Sequence, residues 1–414
     1  MTTSNITFNA YKFWALDLTS YDSSTTYDLR EWFKEVRIYE SMFTSSMHVD
    51  IIIQDPENML VTLPIVGQET VNIWLQSELN SAEILKLSMK VYSVTDIKTV
   101  NETIEYVLQL VTTDFTMNFE EKISRHVSGY GSSIASDIFN ESDIDSNKFI
   151  SVEQSMDEHD LVIPNMSPFR CINWLSSRCH NDTSTSYVFF ENNREYMFKS
   201  IESFFDESIK YKYRGSGKNV NSYGTMKNQE EENRSLISYK VISRFNVIDN
   251  ITKGMYASGV MSCDVVHRKV KKTTHSWYED SEKYQVRKRE IKSRLYPLMS
   301  KNPNSMLKYY PDNVMLVPHN QLNKYNISDN ILKYNYGNQL FDNLKMNIEV
   351  SGNTSLAVGD LLEIEIPVKR PGNEVVRDEI YAGKWLIINI THIITRDSYI
   401  MSIDVAKDRI GLNL

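Results

Sequence analysis

The strongest constraint on the fold is a pattern of three alternating β-strands that occurs twice, once near each end of the chain. In its first copy, LPIVGQETVNIWL (63–75) passes from a segment interrupted by proline and glycine into alternating apolar and polar residues. Two more alternating runs follow at 85–94 and 104–110. Because a period of two is typical of half-buried strands, about the first hundred residues are predicted to form an antiparallel β unit.

The second copy of the pattern lies at the end of the chain. LAVGDLLEIEIP (356–367) again places a glycine and an acidic residue ahead of an alternating strand, and runs at 384–394 and 399–405 supply the next two strands. When the copies are aligned on Gly67 and Gly359, the third strand of each ends in a tripeptide followed by aspartate, VTTD and VAKD. We therefore predict a β-rich α+β protein with two duplicated antiparallel β-barrels, which would offer pseudo-equivalent surfaces to a symmetric neighbour.

Different material separates the two copies. SSIASDIFN (132–140) has a short helical pattern, and SPFRCINWLSSR (167–178) combines a serine at the N-cap with a proline at the first helical position, so both are predicted to be helices. YVFF (187–190), a polar turn and a run at 197–205 predict a hairpin followed by a short helix. The polar stretch at 214–234 is predicted to be a long exposed loop.

Composition argues against several classes of protein. The chain has 414 residues, of which 24% are charged, and its formal net charge is -9, so it lacks the excess of lysine and arginine that marks a general nucleic-acid binder. The sequence contains no run of eighteen or more apolar residues and no signal-peptide pattern at its start, so we expect no membrane-spanning segment and no export by a signal peptide. Cys171, Cys179 and Cys263 fit no zinc or disulfide spacing and are predicted to be buried free thiols.

No stretch carries a complete catalytic, cofactor or metal signature. Asp143, Asp145 and Asn147 match the first ligand positions of a calcium loop, but Lys148 stands where the sharp turn needs glycine and Gln154 where a bidentate glutamate belongs. The histidines show no metalloprotease spacing, and no nucleophile elbow occurs. The chain is therefore predicted not to be an enzyme and to have no catalytic residue, cofactor or metal.

Aromatic residues raise two further possibilities. The basic segment at 267–294 contains Trp277 and Tyr278, which could stack on single-stranded nucleic acid, although interleaved acidic residues favour an exposed or inter-subunit element. Five other tryptophans are predicted to anchor the core or an interface: Trp14, Trp32, Trp74, Trp174 and Trp385.

Four runs of the sequence together resemble one family. These runs are VRIYESMF to LPIVGQETVNIWL (36–75), FEEKISRHVSGYGSSIASDIF (119–139), IPNMSPFRCINWLSSRC to the end of TSYVFFENNREYMFKSIESF (163–204), and VGDLLEIEIP to the end of AGKWLIINITHIITRDSYIMSIDVAKDR (358–409). They resemble, in this order, the first barrel, the stretch that leaves it, the central α/β piece and the closing barrel of the T4-type hub protein of contractile-tail phages. That fold is shared by the N-terminal half of type VI secretion spike proteins.

The resemblance implies an organisation into four parts and an assembly. The parts are a first tube-like β-barrel at 1–118, a central α/β domain at 119–212, a mixed strand, loop and helix insertion at 213–335, and a second tube-like β-barrel at 336–414. The assembly is a homotrimer whose two barrels per chain form a pseudo-sixfold ring, a symmetry adaptor between the sixfold tail tube and the threefold central spike.

The same resemblance implies the partners and the location. The expected partners are the tail tube or a tube-initiator protein, the central spike protein and the tape-measure protein, with DNA only in transit through the channel. The expected location is the tail baseplate of a virion, after synthesis in the host cytoplasm. The alternative function is that of a β-rich carbohydrate-binding or adhesin-type tail module, which would need an aromatic platform on exposed strands.

Inter-subunit contacts are predicted at the edges of the duplicated strands, because exposed strand edges invite pairing. The residues concerned are Val71, Ile73, Leu75, Glu363, Ile364 and Ile366.

Overall fold

The computed structural model describes most of the two end regions and much of the centre. The described residues are 9–63, 65–80, 83–100, 103–142, 148–156, 158–181, 186–215, 234–244, 246–254, 257–264, 268–276, 307–311, 344–369, 375–378 and 380–407. Within this part of the chain, β-strands predominate and the helices are short.

The strands follow one another along the chain in two dense groups. Their bounds are β1 (Tyr11–Thr19), β2 (Thr26–Asp28), β3 (Phe33–Ser41), β4 (His48–Asp55), β5 (Thr70–Ser77), β6 (Ile84–Val100), β7 (Thr103–Thr112), β8 (His126–Tyr130), β9 (Ile150–Val152), β10 (Glu158–Val162), β11 (Tyr187–Glu191), β12 (Tyr196–Ser200), β13 (Ile209–Gly215), β14 (Ser235–Leu236), β15 (Ser238–Ser243), β16 (Ala257–Asp264), β17 (Lys269–Ser276), β18 (Leu307–Pro311), β19 (Leu344–Ser351), β20 (Leu361–Glu365), β21 (Pro367–Lys369), β22 (Val375–Arg377), β23 (Gly383–Thr395) and β24 (Tyr399–Lys407). The helices are α1 (Met59–Thr62), α2 (Thr113–Glu120), α3 (Gly131–Glu141), α4 (Pro168–Ser176), α5 (Ile201–Phe204) and α6 (Val247–Thr252), with a 3₁₀ turn at Glu78–Asn80.

The first group of strands forms an antiparallel sheet in the order β2-β1-β5-β6-β7-β4-β3. The alternation in the sequence decides which face is buried. In β4, for example, Val49, Ile51 and Ile53 are fully buried while the residues between them are half-buried. Burying every second side chain against the other strands removes apolar surface from water, which stabilises this arrangement.

The second group of strands closes on itself. Strands β13, β20, β23, β24, β19 and β15 pair in that order, and β14, which directly precedes β15 in the chain, pairs back with β13. All of these pairs are antiparallel except β13 with β20 and β13 with β14. β13 crosses the predicted boundary at 212 and β15 lies in the predicted insertion, yet both pair with strands of the predicted closing unit. The boundaries at 118, 212 and 335 remain predictions.

A single strand pair joins the two groups into one sheet. The second half of β23 runs antiparallel to β3, from Asn389 opposite Ser41 to Thr395 opposite Glu35. One apolar core, formed by buried residues of both groups, lies behind this seam. We refer to the pairing of β3 with β23 as the seam.

The central part carries a second core. Helices α3 and α4 pack on each other and on the hairpin β11–β12, and the buried side chains include Ile138, Phe169, Ile172, Phe189 and Tyr196. The two helices predicted from the sequence are therefore confirmed, with Ser167 at the N-cap of α4 and Pro168 at its first position. The hairpin predicted from 187–205 is also confirmed, and α5 follows it directly.

Other predictions meet the structure only in part. Cys171 and Cys179 are buried free thiols, but Cys263 is exposed because it lies on a face of β16 that the described residues do not cover. The incomplete calcium loop at 143–147, most of the polar stretch at 214–234 and most of the basic segment at 267–294 lie outside the described residues.

Candidate assembly surface

The two strand groups have the same order of pairing. Read outwards, the first runs β2-β1-β5-β6-β7-β4-β3 and the second runs β14-β13-β20-β23-β24-β19-β15. Each strand of the first list therefore has a counterpart in the second. In particular, β15 is the counterpart of β3, and β23 is the counterpart of β6. The direction differs in the two pairs that involve β1 and β13: β1 is antiparallel to both β2 and β5, whereas β13 is parallel to both β14 and β20.

The turns that precede β5 and β20 are built alike. Gly67 and Gly359 both have a positive φ, 93° and 97°, a conformation that glycine adopts at little cost. In the first turn the Glu69 carboxylate accepts hydrogen bonds from three successive backbone amides, and in the second the Asp360 carboxylate accepts one from the amide of Ala357, at 2.9 Å. In both copies, the glycine and the acidic residue that follows it therefore form the turn before the strand in the same way.

A bulge occurs at the matching point of β6 and β23. The register of β6 against β7 shifts between Val91 and Ser93, and that of β23 against β24 shifts between Ile387 and Asn389. The amide before each bulge donates to the preceding turn, from Val91 N to Glu69 O and from Ile387 N to Asp360 O, each at 3.0 Å. Bulges bend a strand and change the direction of its edge. β6 and β23 therefore bend at corresponding points of the two strand groups.

Buried polar groups hold the seam on its core side. Glu40 of β3 and His392 of β23 are both almost fully buried, with 3.4 Å between Glu40 Oε1 and His392 Nε2. His392 Nδ1 lies 2.7 Å from the Tyr399 hydroxyl, whose pKa is raised well above its ordinary value by burial and by the nearby Glu40 carboxylate. A protonated Tyr399 can donate to Nδ1, and Nε2 of the same imidazole faces Glu40.

The turn of the central hairpin packs against the turn that precedes β20. The Arg194 guanidinium forms two hydrogen bonds, at 2.9 and 2.8 Å, with the carboxylate of Asp360. Asn192 and Asn193 donate side-chain hydrogen bonds to the carbonyls of Val358 and Leu356, at 3.2 and 3.1 Å. The central part of the chain is thereby fixed to the turn that opens the second strand group.

A second buried carboxylate ties the central part to the first strand group. Glu191, at the end of β11, accepts hydrogen bonds from Met47 N at 3.0 Å and from the Thr112 hydroxyl at 3.1 Å, and pairs with Lys148 at 2.8 Å. Burial raises the pKa of Glu191, and the adjacent Lys148 ammonium opposes that rise. This carboxylate is fully satisfied by its partners and is best explained as a structural tie.

The opposite face of the seam is polar and partly open to solvent. Asn347 donates to Ser402 and Asp404, Asn389 donates to Asp404, and Ser41 donates to Asn389, at distances of 2.7 to 3.1 Å. These bonds form a continuous ladder across β19, β24, β23 and β3. The ladder therefore places linked amide, hydroxyl and carboxylate groups on this face of the sheet.

The polar face continues across the first strand group. In successive strands, residues that lie directly opposite one another are Arg37, Asp50, Gln109 and Ser93. Except for the exposed Arg37, these side chains are partly buried. Arg37 pairs with Glu35 of its own strand at 2.5 Å, so its charge is locally compensated. We refer to the surface formed by the ladder and this row as the polar face.

Several strand edges of the sheet have no strand partner among the described residues, and two of them lie at the ends of the run of strands that contains the seam. One is the outer edge of β15, and the other is the edge of β6 beyond Val91, because β5 pairs only with residues 84–90 of β6. Both edges carry exposed apolar side chains: Tyr239 (45% exposed) and Ile242 (52%) on β15, and Tyr92 (50%) and Ile97 (60%) on β6.

The six residues predicted to form subunit contacts lie elsewhere. Five of them have buried side chains within the chain's own core: Val71, Ile73, Leu75, Ile364 and Ile366. Glu363 is half-buried and pairs with Lys212 at 2.7 Å. Their strands also have neighbours on both sides, since β5 lies between β1 and β6 and β20 lies between β13 and β23. The apolar alternation from which these residues were predicted reflects burial within the subunit. Their role in contacts between subunits remains a prediction.

The buried polar groups of the seam were not predicted from the sequence. Glu40 occupies the same phase of β3 as the buried Val36 and Ile38, and His392 occupies the same phase of β23 as Ile390. A titratable residue in the buried phase of an otherwise apolar strand was the available signal, because such a residue needs a partner inside the protein.

Two tryptophans are exposed on neighbouring strands. Trp14 of β1 is 47% exposed and Trp74 of β5 is 42% exposed, and the ammonium groups of Lys12 and Lys86 lie 3.4 and 4.9 Å from their ring centroids. Trp14 also donates from Nε1 to Gln76 at 2.7 Å. The other described tryptophans pack in or against the two cores: Trp32, Trp174 and Trp385.

Two features are absent from the part of the chain that the structure describes. Among these residues, no three or more histidine, cysteine, aspartate or glutamate side chains cluster in a way that could hold a metal ion. In the same residues, no helix combines the length and the apolar character needed to cross a membrane.

Comparison with known proteins identifies the fold. No protein-family model matches the sequence, and no curated protein matches it significantly. The 43 kDa tail protein of prophage MuSo2 from Shewanella oneidensis is similar in structure, with a TM-score of 0.56 and 9% identity over 96% of this chain and 99% of that one. The tail protein from Neisseria meningitidis MC58 gives a TM-score of 0.55 and 8% identity over 97% and 98% of the two chains. At the level of the fold, the resemblance found in the sequence is confirmed: the chain has the fold of these tail proteins.

Proposed function

We propose that this chain is a structural, non-enzymatic hub subunit of a contractile phage tail baseplate. The observation that carries the proposal is the shared order of strand pairing in the two groups, within a fold that matches tail proteins over nearly the whole chain. The matching turns and bulges support a duplication, in which each group is one barrel-like unit. The central helices and hairpin, with the insertion that follows, then link and support these units.

The proposed assembly is a homotrimer. Three copies of a chain with two similar units present six similar units around one axis, while the rest of the chain repeats only three times. Such a ring can contact a sixfold tail tube on one side and a threefold central spike on the other. The partners proposed for it are a tube or tube-initiator protein, the spike protein and the tape-measure protein.

The polar face is proposed to line the central channel. Its ladder consists of asparagine, serine and aspartate side chains that are partly open to solvent, and its exposed Arg37 is paired with Glu35. Rows of unpaired lysine and arginine would bind DNA phosphates electrostatically and slow their passage. A polar face whose exposed arginine is paired with a glutamate is therefore suited to a channel through which DNA moves during ejection.

The first experiment is to measure the mass of the purified chain by light scattering over a concentration series, with negative-stain class averages of the same sample. A trimer that averages to a ring of six lobes around a pore would support the proposal. A compact dimer without a pore, or a chain that remains monomeric at the highest concentration, would contradict it.

A carbohydrate-binding tail module is the second candidate function. The observation that favours it is the exposed pair Trp14 and Trp74, because carbohydrate sites use aromatic platforms on exposed strands. A glycan array would test it, with the double variant W14A/W74A as the control. Binding that this variant abolishes would support the module, whereas the absence of binding by the unchanged protein would exclude it for the glycans tested.

A further inference from the structure

The solvent side of β1, β5 and the first half of β6 carries aromatic and basic side chains. Trp74 of β5 lies opposite Lys86 of β6, and Gln76 of β5 lies opposite Lys12 of β1. The side chains that alternate with them on β5 are buried in the core. This surface is distinct from the polar face, because it uses only the half of β6 that precedes the bulge. We refer to five of its residues as the tryptophan patch: Lys12, Trp14, Trp74, Gln76 and Lys86.

A bulge in β1 brings a second tryptophan to this surface. In the register of β1 against β5, Phe13 lies opposite Leu75 and Ala15 lies opposite Trp74, so Trp14 is an extra residue. Phe13 is buried, whereas Trp14 is exposed and Ala15 is half-buried. A regular strand alternates its side chains between the two faces, and a bulge changes the direction of one of them. The bulge therefore keeps Trp14 out of the core, on the strand beside Trp74.

Each exposed indole carries the ammonium group of a lysine. Lys12 Nζ lies 3.4 Å from the ring centroid of Trp14, and Lys86 Nζ lies 4.9 Å from that of Trp74. Attraction between a cation and the negative face of an aromatic ring favours this placement. The indole N–H of Trp14 donates to Gln76 at 2.7 Å, so its polar edge already has a partner. The patch therefore presents two positive charges on two apolar rings.

The positive charge of the patch has no counter-charge in the described part of the chain. There, neither Lys12 nor Lys86 forms an ion pair. Elsewhere in the same strand group, the exposed Lys34 and Lys98 both pair with Glu105, at 3.0 and 2.7 Å. The chain as a whole is acidic, with a formal net charge of -9, so the two lysines do not belong to a general surplus of basic residues. Their ammonium groups are available to a carboxylate from another molecule.

The composition of the patch favours one class of partner. Proteins that hold nucleic acid use rows of lysine and arginine along the phosphate backbone, whereas this patch has two lysines and no arginine. A base or a sugar that stacked on the lysine-bearing face of either indole would have to displace the ammonium group. A carboxylate can pair with the ammonium group in place, while a neighbouring apolar side chain covers the indole. A protein segment with both acidic and apolar side chains provides this combination.

We propose that the tryptophan patch binds an acidic segment of another protein, whose carboxylates pair with Lys12 and Lys86 and whose apolar side chains pack on the two indoles. The registers place these lysines two strands and two residues apart. With strands about 4.8 Å apart and a rise of about 3.4 Å per residue, their Cα atoms are separated by about 12 Å. An extended segment covers that distance in about three to four residues, so about two or three apolar residues fit between its two acidic residues.

This inference goes beyond the proposed function. Every residue of the patch belongs to one chain, so the binding needs no trimer. It also involves a part of the first strand group that the polar face does not use.

Fluorescence anisotropy with a labelled peptide tests the proposal on the full chain. The probe is the peptide Glu-Glu-Leu-Phe-Leu-Glu-Glu with fluorescein at its N-terminus, and its control has glutamine in place of every glutamate. We expect the acidic peptide to bind and the glutamine peptide to bind at least about tenfold more weakly, because its charge-assisted pairs are lost. Equal affinity for the two peptides, or no binding of the acidic peptide up to millimolar concentration, would overturn the proposal.

A reversal of charge locates the binding. The variant K12E/K86E should weaken binding of the acidic peptide at least about tenfold, because carboxylates then face carboxylates. The control K240E/K253E makes the same change of charge at two exposed lysines outside the patch and should bind within about twofold of the unchanged protein. Equal weakening in both variants would show attraction to the chain as a whole and would contradict a site at the patch.

The variant W14A/W74A distinguishes an acidic peptide from the other ligands that exposed indoles can hold. It should weaken binding of the acidic peptide at least about tenfold, because the apolar surface is lost. A single-stranded oligonucleotide or a neutral glycan that binds more tightly than the acidic peptide, and no longer binds this variant, would replace the proposal with a stacking site. Thermal unfolding of each variant controls for folding, and K12E/K86E decides the question if W14A/W74A does not fold.

Light scattering on the same samples separates this proposal from the proposed function. A trimeric ring that does not bind the acidic peptide would overturn binding at the tryptophan patch and leave the hub function standing. A chain that binds the peptide at the patch but remains monomeric would support the patch and contradict the hub function.

Discussion

Glu40 and His392 face each other across the seam, and 352 residues of chain separate them. Besides His392, the Glu40 carboxylate has two backbone amides within reach, Asn193 N at 3.3 Å and Val358 N at 3.4 Å. One side chain therefore contacts three parts of the fold: the seam, the central hairpin turn and the turn before β20. Because Glu40 is 1% exposed, water cannot replace its contacts.

Replacing Glu40 by alanine should lower the free energy of unfolding by about 2 to 4 kcal/mol, since His392 and two buried amides lose their acceptor. Glu40→Gln should cost less, because its amide oxygen can still accept one of these bonds. Urea denaturation followed by tryptophan fluorescence measures both. The matched control is Glu35→Ala on the solvent side of the same strand, and equal losses for Glu40→Ala and Glu35→Ala would show that the buried network is not stabilising.

We expect the contribution of Arg194 to stability to depend on the geometry of its guanidinium group as well as on its charge. The variant Arg194→Lys keeps the charge but cannot form both hydrogen bonds to Asp360, so it should be destabilised by about 1 kcal/mol, and Arg194→Ala by somewhat more. Thermal unfolding of these two variants is compared with that of Lys199→Ala. This variant is the control, because the ion pair of Lys199 with Glu207 is long at 3.4 Å. Full retention of stability in Arg194→Lys would contradict a role for the paired geometry.

Glu105 predicts a dependence of stability on pH. Hydrogen bonds from Lys98 and Lys34 hold the pKa of this carboxyl below its ordinary value of 4.5. A depressed folded-state pKa contributes stability that is present above the unfolded value and is lost as the pH falls through the folded one. Because both lysines are exposed, we expect no more than about 1 kcal/mol.

The variant Glu105→Gln tests that dependence. Its deficit in unfolding free energy relative to the unchanged protein should be present at pH 7 and should shrink below pH 4.5 as the carboxyl of the unchanged protein is protonated. Chemical denaturation at a series of pH values measures the difference. A deficit of the same size at pH 7 and at low pH would refute the assignment.

Gly352 should tolerate no side chain. A Cβ atom at this position would lie 2.1 Å from Cδ1 of the buried Tyr399 ring, so Gly352→Ala should cost about 3 kcal/mol or more. Gly215 is the matched control, because a Cβ atom there would lie 3.5 Å from its nearest neighbour. Gly215→Ala should be close to neutral in thermal unfolding, and a similar loss for both variants would show that the close approach to Tyr399 is not the cause.

Variants of Ile73 and Trp74, which are neighbours on β5, distinguish a residue of the core from a residue of an interface. Ile73 is fully buried, so Ile73→Ala should lower the free energy of unfolding by about 2 to 4 kcal/mol. Trp74 faces outwards, and Trp74→Ala should cost much less. If Ile73→Ala weakened association between copies without lowering the stability of the subunit, that result would support the prediction of Ile73 as an interface residue.

Local patterns in the sequence predicted many individual elements. Alternation predicted the strands around Val71 and Ile364, and the pair Ser167 and Pro168 predicted the start of α4, because these signals depend on neighbours a few residues away. The same patterns could not say which strand pairs with which. The pairing of β3 with β23, and of β13 and β15 with the closing strands, depends on contacts between distant parts of the chain.

The prediction of the assembly surface was limited for the same reason. Apolar alternation identifies the side that faces a core, as at Ile73, but a strand edge is defined by the backbone groups that no neighbour has paired. The edges that carry Tyr92 and Tyr239 can be identified only from the pairing of their strands.

The seam also sets the order in which the chain can fold during synthesis. Ser41 and its partner Asn389 are 348 residues apart, so the edge of β3 has no native partner until most of the chain has been made. At usual translation rates this delay is on the order of 20 to 70 s. Throughout that time the nascent first strand group exposes the type of edge that invites pairing with a neighbouring nascent chain. Ribosomes closely spaced on one message would then bring together edges that are normally sealed within a single molecule, so spacing between ribosomes becomes a determinant of the yield of correctly folded subunits.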